Sequence, residues 1–162
     1  MITSAVQNGL GIGDVPKQSR FIARAAFSKG HVGVLDFAQS DADVTNTIEG
    51  HENSVWTNLI VPPTGAAMAC VGAVFLDDVA DNQKQFARLV GDCYVLVHKS
   101  SGDIAKGEKL GLVDGQKYMG AYDDLNTGDR YVAQALESVS APTTPTLCYC
   151  RVNLVNGFGT KA

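Results

Sequence analysis

The chain has little charge, one tryptophan and none of the common catalytic signatures. Asp, Glu, Lys and Arg make up 19% of it, below the ~25% usual for soluble domains. No Lys/Arg cluster exceeds two adjacent positions, and the net charge is −4. A basic stripe that could track phosphates is therefore missing, which argues against direct nucleic-acid binding. The longest apolar run falls far short of the ~20 residues a membrane helix needs. Met1-Ile-Thr-Ser-Ala-Val-Gln-Asn8 has neither the basic start nor the apolar stretch of a secretion signal, so synthesis in the cytoplasm is expected.

Catalytic and metal-binding patterns are equally scarce. No G-x-S-x-G elbow occurs, so a serine hydrolase has no support. The acidic groups Asp41/Asp43, Asp77/Asp78/Asp81 and Asp123/Asp124 do not follow the calcium-loop order and read as solvated loops. Cys70, Cys93, Cys148 and Cys150 each sit in an apolar segment, where free cysteine serves as a small core residue. Cys148 and Cys150 have the C-x-C spacing, without the paired half-sites of a zinc centre. Residues two apart on a strand lie roughly 7 Å apart, which disfavours a disulfide between them. Gly9, Gly11 and Gly13 stop short of the dinucleotide fingerprint and lack its flanking strand and helix. No enzyme, no cofactor and no metal is the reading that follows.

Hydrophobic residues make up 45% of the chain, enough for the core of one domain of this length. Their pattern is that of strands. Phe21, Ala23, Ala25 and Phe27 alternate, and so do the residues of Tyr131–Glu137. In Leu147–Val155, Cys148, Cys150, Val152 and Leu154 share one face while Tyr149, Arg151 and Asn153 take the other. His31–Phe37 and two short segments within Val44–Val61, around a turn at Gly50, also read as strands. Pro62-Pro63 ends that half, because prolines cannot donate to a ladder. Asp81–Val90 admits a helix capped by Asp81, with Phe86, Leu89 and Val90 as its apolar side. Val90-Gly91-Asp92-Cys93 instead favours a hairpin pairing Phe86–Val90 with Cys93–Val97, and Asp114-Gly115 predicts a type I′ hairpin. No internal repeat is legible. The expected fold is all-β: a small antiparallel barrel or sandwich with an extended N-terminal arm. Residues 1–20 would be the arm, 21–155 one β domain with 28–76 as a candidate inserted subdomain, and 156–162 a tail.

The segment from about Phe75 to Val155 resembles the head decoration, or capsid cement, proteins of tailed bacteriophages. The resemblance rests on the expected Phe86–Val97 hairpin, then on Gly102, Asp103, Gly107 and Leu110, then on Ala133, Ala135, Leu136 and Glu137, then on the closing Leu147–Val155 strand. It covers about half of the chain. It implies a non-enzymatic virion protein on the capsid exterior that clamps neighbouring major capsid protein subunits. It also implies a homo-oligomer, with a trimer favoured. Leu10 and Ile12 of the arm, Phe21, Trp56, Tyr118 and Tyr122 are the candidate contact residues. A second reading is a glycan- or host-surface-binding module, with Trp56 stacking between Asn53 and Asn58. A third is a biotinyl- or lipoyl-like carrier that would use Lys117, although no Met-Lys-Met occurs.

Overall fold

A computed structural model of the chain describes residues 18–35, 59–65 and 71–162. Eleven strands form: β1 Gln18–Ala23, β2 Val32–Leu35, β3 Leu59–Val61, β4 Gly72–Phe75, β5 Lys84–Arg88, β6 Val90–His98, β7 Lys109–Leu112, β8 Met119–Ala121, β9 Arg130–Ala135, β10 Thr146–Asn153 and β11 Gly159–Thr160. A 3-10 turn covers Tyr122–Asp124. The fold is all-β, as expected. Residues 18–20, assigned to the arm, belong to β1 and pair with Phe86, Ala87 and Arg88. Within the tail, β11 pairs with β9.

The strands build two small closed barrels in tandem, and the second repeats the first. Strands β1-β3-β2-β4-β5 close on themselves through β1–β5. Strands β6-β8-β7-β9-β10 do the same through β6–β10 and β9–β10, with β11 added at the edge of β9. In each barrel the first and third strands run parallel, at Ala23↔Ile60 and at Val97↔Met119. Register is repeated as well. Gln18↔Arg88 corresponds to Asp92↔Arg151, Arg20↔Phe86 to Tyr94↔Tyr149, and Val32↔Val74 to Lys109↔Gln134.

The turns repeat the same backbone donors, with different side-chain acceptors. Phe27 and Val79 exchange both backbone hydrogen bonds, and so do Ile104 and Val139. Gly30 and Gly107 adopt φ of 84° and 92°, a region that costs glycine nothing. Their N–H groups donate to Phe75 O and Ala135 O. The Lys29 N–H donates to Asp78 Oδ1 at 2.8 Å, and the Lys106 N–H to Ser138 Oγ at 3.1 Å. The Ser28 N–H donates to His31 Nδ1 at 2.8 Å, and the Ala105 N–H to Glu108 Oε2 at 3.0 Å. A repeat is therefore present where none was read from sequence. Few side chains carry it: Lys-Gly at 29–30 and 106–107, and Leu-x-x-Val at 76–79 and 136–139.

Closure also explains the hairpin that does not form. Both edges of β5 are taken, by β1 and by β4, so none remains for β6. Gly91, at φ 116°, lies inside β6 opposite Val152. The Asp114-Gly115 turn exists but is not type I′, because only Gly115 has positive φ, as in a type II turn. Its tip is tied elsewhere: the Gly65 N–H donates to Asp114 Oδ1, and the Gly115 N–H to Pro63 O. The ladder above it ends at Leu112↔Met119.

A seam joins the barrels. Val32, Val34 and Val74 point out of the first barrel and are fully buried in the apolar cluster of the second. Burying each contributes roughly 1.5–3 kcal/mol. The Leu96 N–H donates to Gly30 O, Val32 N–H to Lys117 O, and Gly72 N–H to Leu154 O. A Cβ at Gly30 would lie 2.6 Å from Leu147 Cδ2, so glycine lets the first barrel sit directly on β10.

Candidate docking surface

Among the described residues, the outer faces of the closing ribbons hold four of the five large apolar side chains most exposed to water. Phe86 is 46% exposed, Tyr94 45%, Leu147 40% and Tyr149 38%. Strand alternation puts them there. In β6, Cys93, Val95 and Val97 point into the second barrel, which turns Tyr94 outward. In β10, buried Cys148, Cys150 and Val152 turn Leu147, Tyr149 and Arg151 outward. Tyr94 and Tyr149 are direct cross-strand neighbours, with ring centroids 5.1 Å apart. Such aromatic pairs stabilise a ribbon by roughly 0.2–1 kcal/mol, and exposed aromatics are common interface anchors.

Charges frame this surface. The Lys29 ammonium, from the first barrel, sits 5.5 Å from the Tyr94 ring centroid. At the far end, Arg151 Nε and Nη2 donate to the two carboxylate oxygens of Asp92 at 2.8 and 3.0 Å. This forked pair fixes the guanidinium, and its hydrogen bonds hold Arg151 above its usual range. The equivalent place on the first barrel has Arg20 over the exposed Phe86 ring, at 5.9 Å. Both closing ribbons thus show an aromatic ring with a cation near it.

The residues anticipated from sequence lie elsewhere. Leu10, Ile12 and Trp56 are outside the described residues. Phe21 is only 5% exposed and packs in the first core. Its place as a contact is corrected, because β1 turns the ring inward. Tyr118 packs on His98, with centroids 5.1 Å apart. Tyr122 meets Tyr131 edge-on and lies beneath the ammonium groups of Lys109 and Lys161. Sequence reasoning passed over Tyr94 and Leu147, although alternation with Cys93, Val95 and Cys148 was a usable signal.

Cys70 lies outside the described residues; Cys93, Cys148 and Cys150 are buried, and the proposed carrier lysine is committed to structure. Burial pushes the Cys93 thiol up to about 12. A hydrogen bond with the Cys148 thiol, together with burial, pushes Cys150 up as well. Lys117 does not stand free at a hairpin tip: its Nζ donates to Ala26 O at 2.6 Å and lies 4.9 Å from the Phe27 centroid. That lysine bridges the barrels, which removes the feature the carrier reading required. Among the described residues no group of three or more His, Cys, Asp or Glu is placed to hold a metal ion.

No protein-family model and no curated protein matches this sequence. A solved structure does: the crystal structure of the head fiber gp8.5 N base in bacteriophage phi29, with a TM-score of 0.51. The match covers 85% of this chain and 94% of that one at 12% identity. The two proteins share a fold.

Proposed function

We propose that this chain is a structural protein of a bacteriophage virion, mounted on the capsid exterior. The observation that carries the reading is the fold shared with the phi29 head fiber base over most of both chains. The exposed Tyr94–Leu147–Tyr149 face supports it by supplying aromatic and apolar side chains of the kind that anchor interfaces. Within that role we favour cementing. The chain binds the assembled shell of major capsid protein, in homo-oligomeric and preferably trimeric form, and stabilises it by mass action. Two closed barrels joined through a buried apolar seam suit the task, since a preorganised surface loses less freedom on docking.

The test uses heads of the encoding virus assembled without this chain. Adding the purified protein should coat them and reduce rupture under osmotic shock. Coating without protection would leave a decoration or fiber-base role and reject cementing. Absence of coating would reject docking altogether. The solution mass decides the trimer.

A further inference from the structure

The strands equivalent to the seam face of the first barrel are open on the second. Where the first barrel has buried Val32 and Val74, the second has Lys109 and Gln134. Beside them lies a half-open cavity of about 220 Å3, lined by Lys109, Tyr131, Ala133, Gln134 and Phe158. The Lys109 ammonium is pinned between two rings, 4.6 Å from the Tyr131 centroid and 5.3 Å from that of Tyr122. Among the described residues it has no ion-pair partner. Lys99, by contrast, is matched by Glu108 and Asp123. Gln134 Nε2 donates to Gly107 O at 3.1 Å, which orients the amide and leaves Oε1 to accept.

Phe158 is the unusual member. It is 46% exposed, yet its backbone is held. Its N–H donates to Tyr131 O at 2.9 Å, and Gly159 next to it pairs with Tyr131. A Cβ at Gly159 would lie 2.4 Å from Tyr131 Oη, so only glycine admits this approach. A merely solvated strand face explains Lys109 and Gln134. It does not explain an exposed phenyl ring carried on a hydrogen-bonded backbone at the rim of a concavity.

We infer that this cavity binds an acidic saccharide unit. Each part of a uronic-acid pyranose has a counterpart. The exposed phenyl face stacks on the sugar's C–H face. The unneutralised ammonium pairs with the carboxylate, and the fixed amide takes a hydroxyl. The rings keep the ammonium in place before binding, which lowers the ordering cost. The site involves β7, β9 and β11 rather than the β6–β10 ribbon, so it stands whether or not the chain docks on a shell.

The test is an amide-resolved NMR titration with D-glucuronate, using D-glucose and acetate as controls. Saturable shifts at Lys109, Gln134 and Phe158 are expected, with an affinity on the order of millimolar. Lys109→Met should abolish the preference for glucuronate over glucose. Phe158→Ala should weaken both sugars by about tenfold, since it removes the stacking ring. Tyr94→Ser/Tyr149→Ser should leave the titration unchanged. Dispersed spectra confirm that each variant is folded. Identical shifts from acetate and glucuronate, indifference to Phe158→Ala in a folded variant, or no saturable shift would each overturn the assignment.

Discussion

The two barrels share topology and register but divide their tasks. The first turns its β2–β4 face inward against its neighbour through Val32, Val34 and Val74. The second opens the equivalent face through Lys109 and Gln134. Their cores differ too, in compensating pairs. Gly33 and Phe75 of the first barrel occupy the places of Leu110 and Ala135 in the second. Ile60 and the Phe27 ring fill the space beside Gly33, and the Phe75 ring packs on Phe27 with centroids 4.7 Å apart. The lesson is that a barrel of this kind fixes hydrogen-bond register tightly and side-chain identity loosely. Faces can then be reassigned from buried seam to open surface without altering the frame.

The largest effect is expected at the seam. Val74→Asp should destabilise the chain by at least about 3 kcal/mol, because it buries a charge. Gln134→Asp, its counterpart, should change stability by no more than about 0.5 kcal/mol. Urea unfolding compares the two. Equal costs would mean that the barrels do not use these faces differently.

Next is the compensation within the cores. Gly33→Leu adds atoms where a Cβ would already lie 2.2 Å from Ile60 Cγ2, and should cost about 1–3 kcal/mol or more. Phe75→Ala should cost about 3–5 kcal/mol. The double variant, which copies the second barrel, should cost less than the sum by about 1–3 kcal/mol. Strict additivity would show that the two positions do not share space.

A smaller effect on stability, though not on docking, belongs to the ribbon. Tyr94→Ser/Tyr149→Ser should lower stability by about 1 kcal/mol. The same change should weaken attachment to heads by about tenfold or more.

The smallest effect separates the two equivalent turns by pH. His31 Nδ1 must be unprotonated to accept from the Ser28 N–H. Burial, and next the Lys117 charge, hold His31 below its ordinary 6.5, while Asp78 opposes them. The folded chain thus binds fewer protons here than the unfolded one. This contribution is full above pH 6.5 and declines as pH falls through that value toward the lower folded pKa. His31→Gln should flatten this part of the pH–stability curve. An unchanged slope between pH 7 and about 5 would exclude His31 as its source.

Much of the frame is legible in sequence because alternation is local. β10 reads directly from Cys148, Cys150 and Val152 against Tyr149 and Arg151, and the turn at Asp114-Gly115 from its glycine. Closure is not local. Gly91-Asp92 looks like a hairpin until both edges of β5 are known to be occupied. The duplication escapes notice because Gly33 matches Leu110 and Val32 matches Lys109. Hydrogen bonds preserve the correspondence, and composition does not. The exposed surface was half visible. Alternation puts Tyr149 and Tyr94 on outward faces, but that the two are neighbours follows only from the β6–β10 register. Phe158 had no periodic context, only flanking glycines, so nothing distinguished it from an ordinary tail residue.

The central claim is that the β6–β10 face attaches this chain to a virion shell. Co-sedimentation with heads assembled without the protein tests it directly, with the wild type, Tyr94→Ser/Tyr149→Ser and Lys109→Met compared at matched concentrations. The account predicts saturable binding of the wild type and of Lys109→Met, and loss of binding in the tyrosine variant although it remains folded. Equal binding by all three, or binding by none, would contradict it.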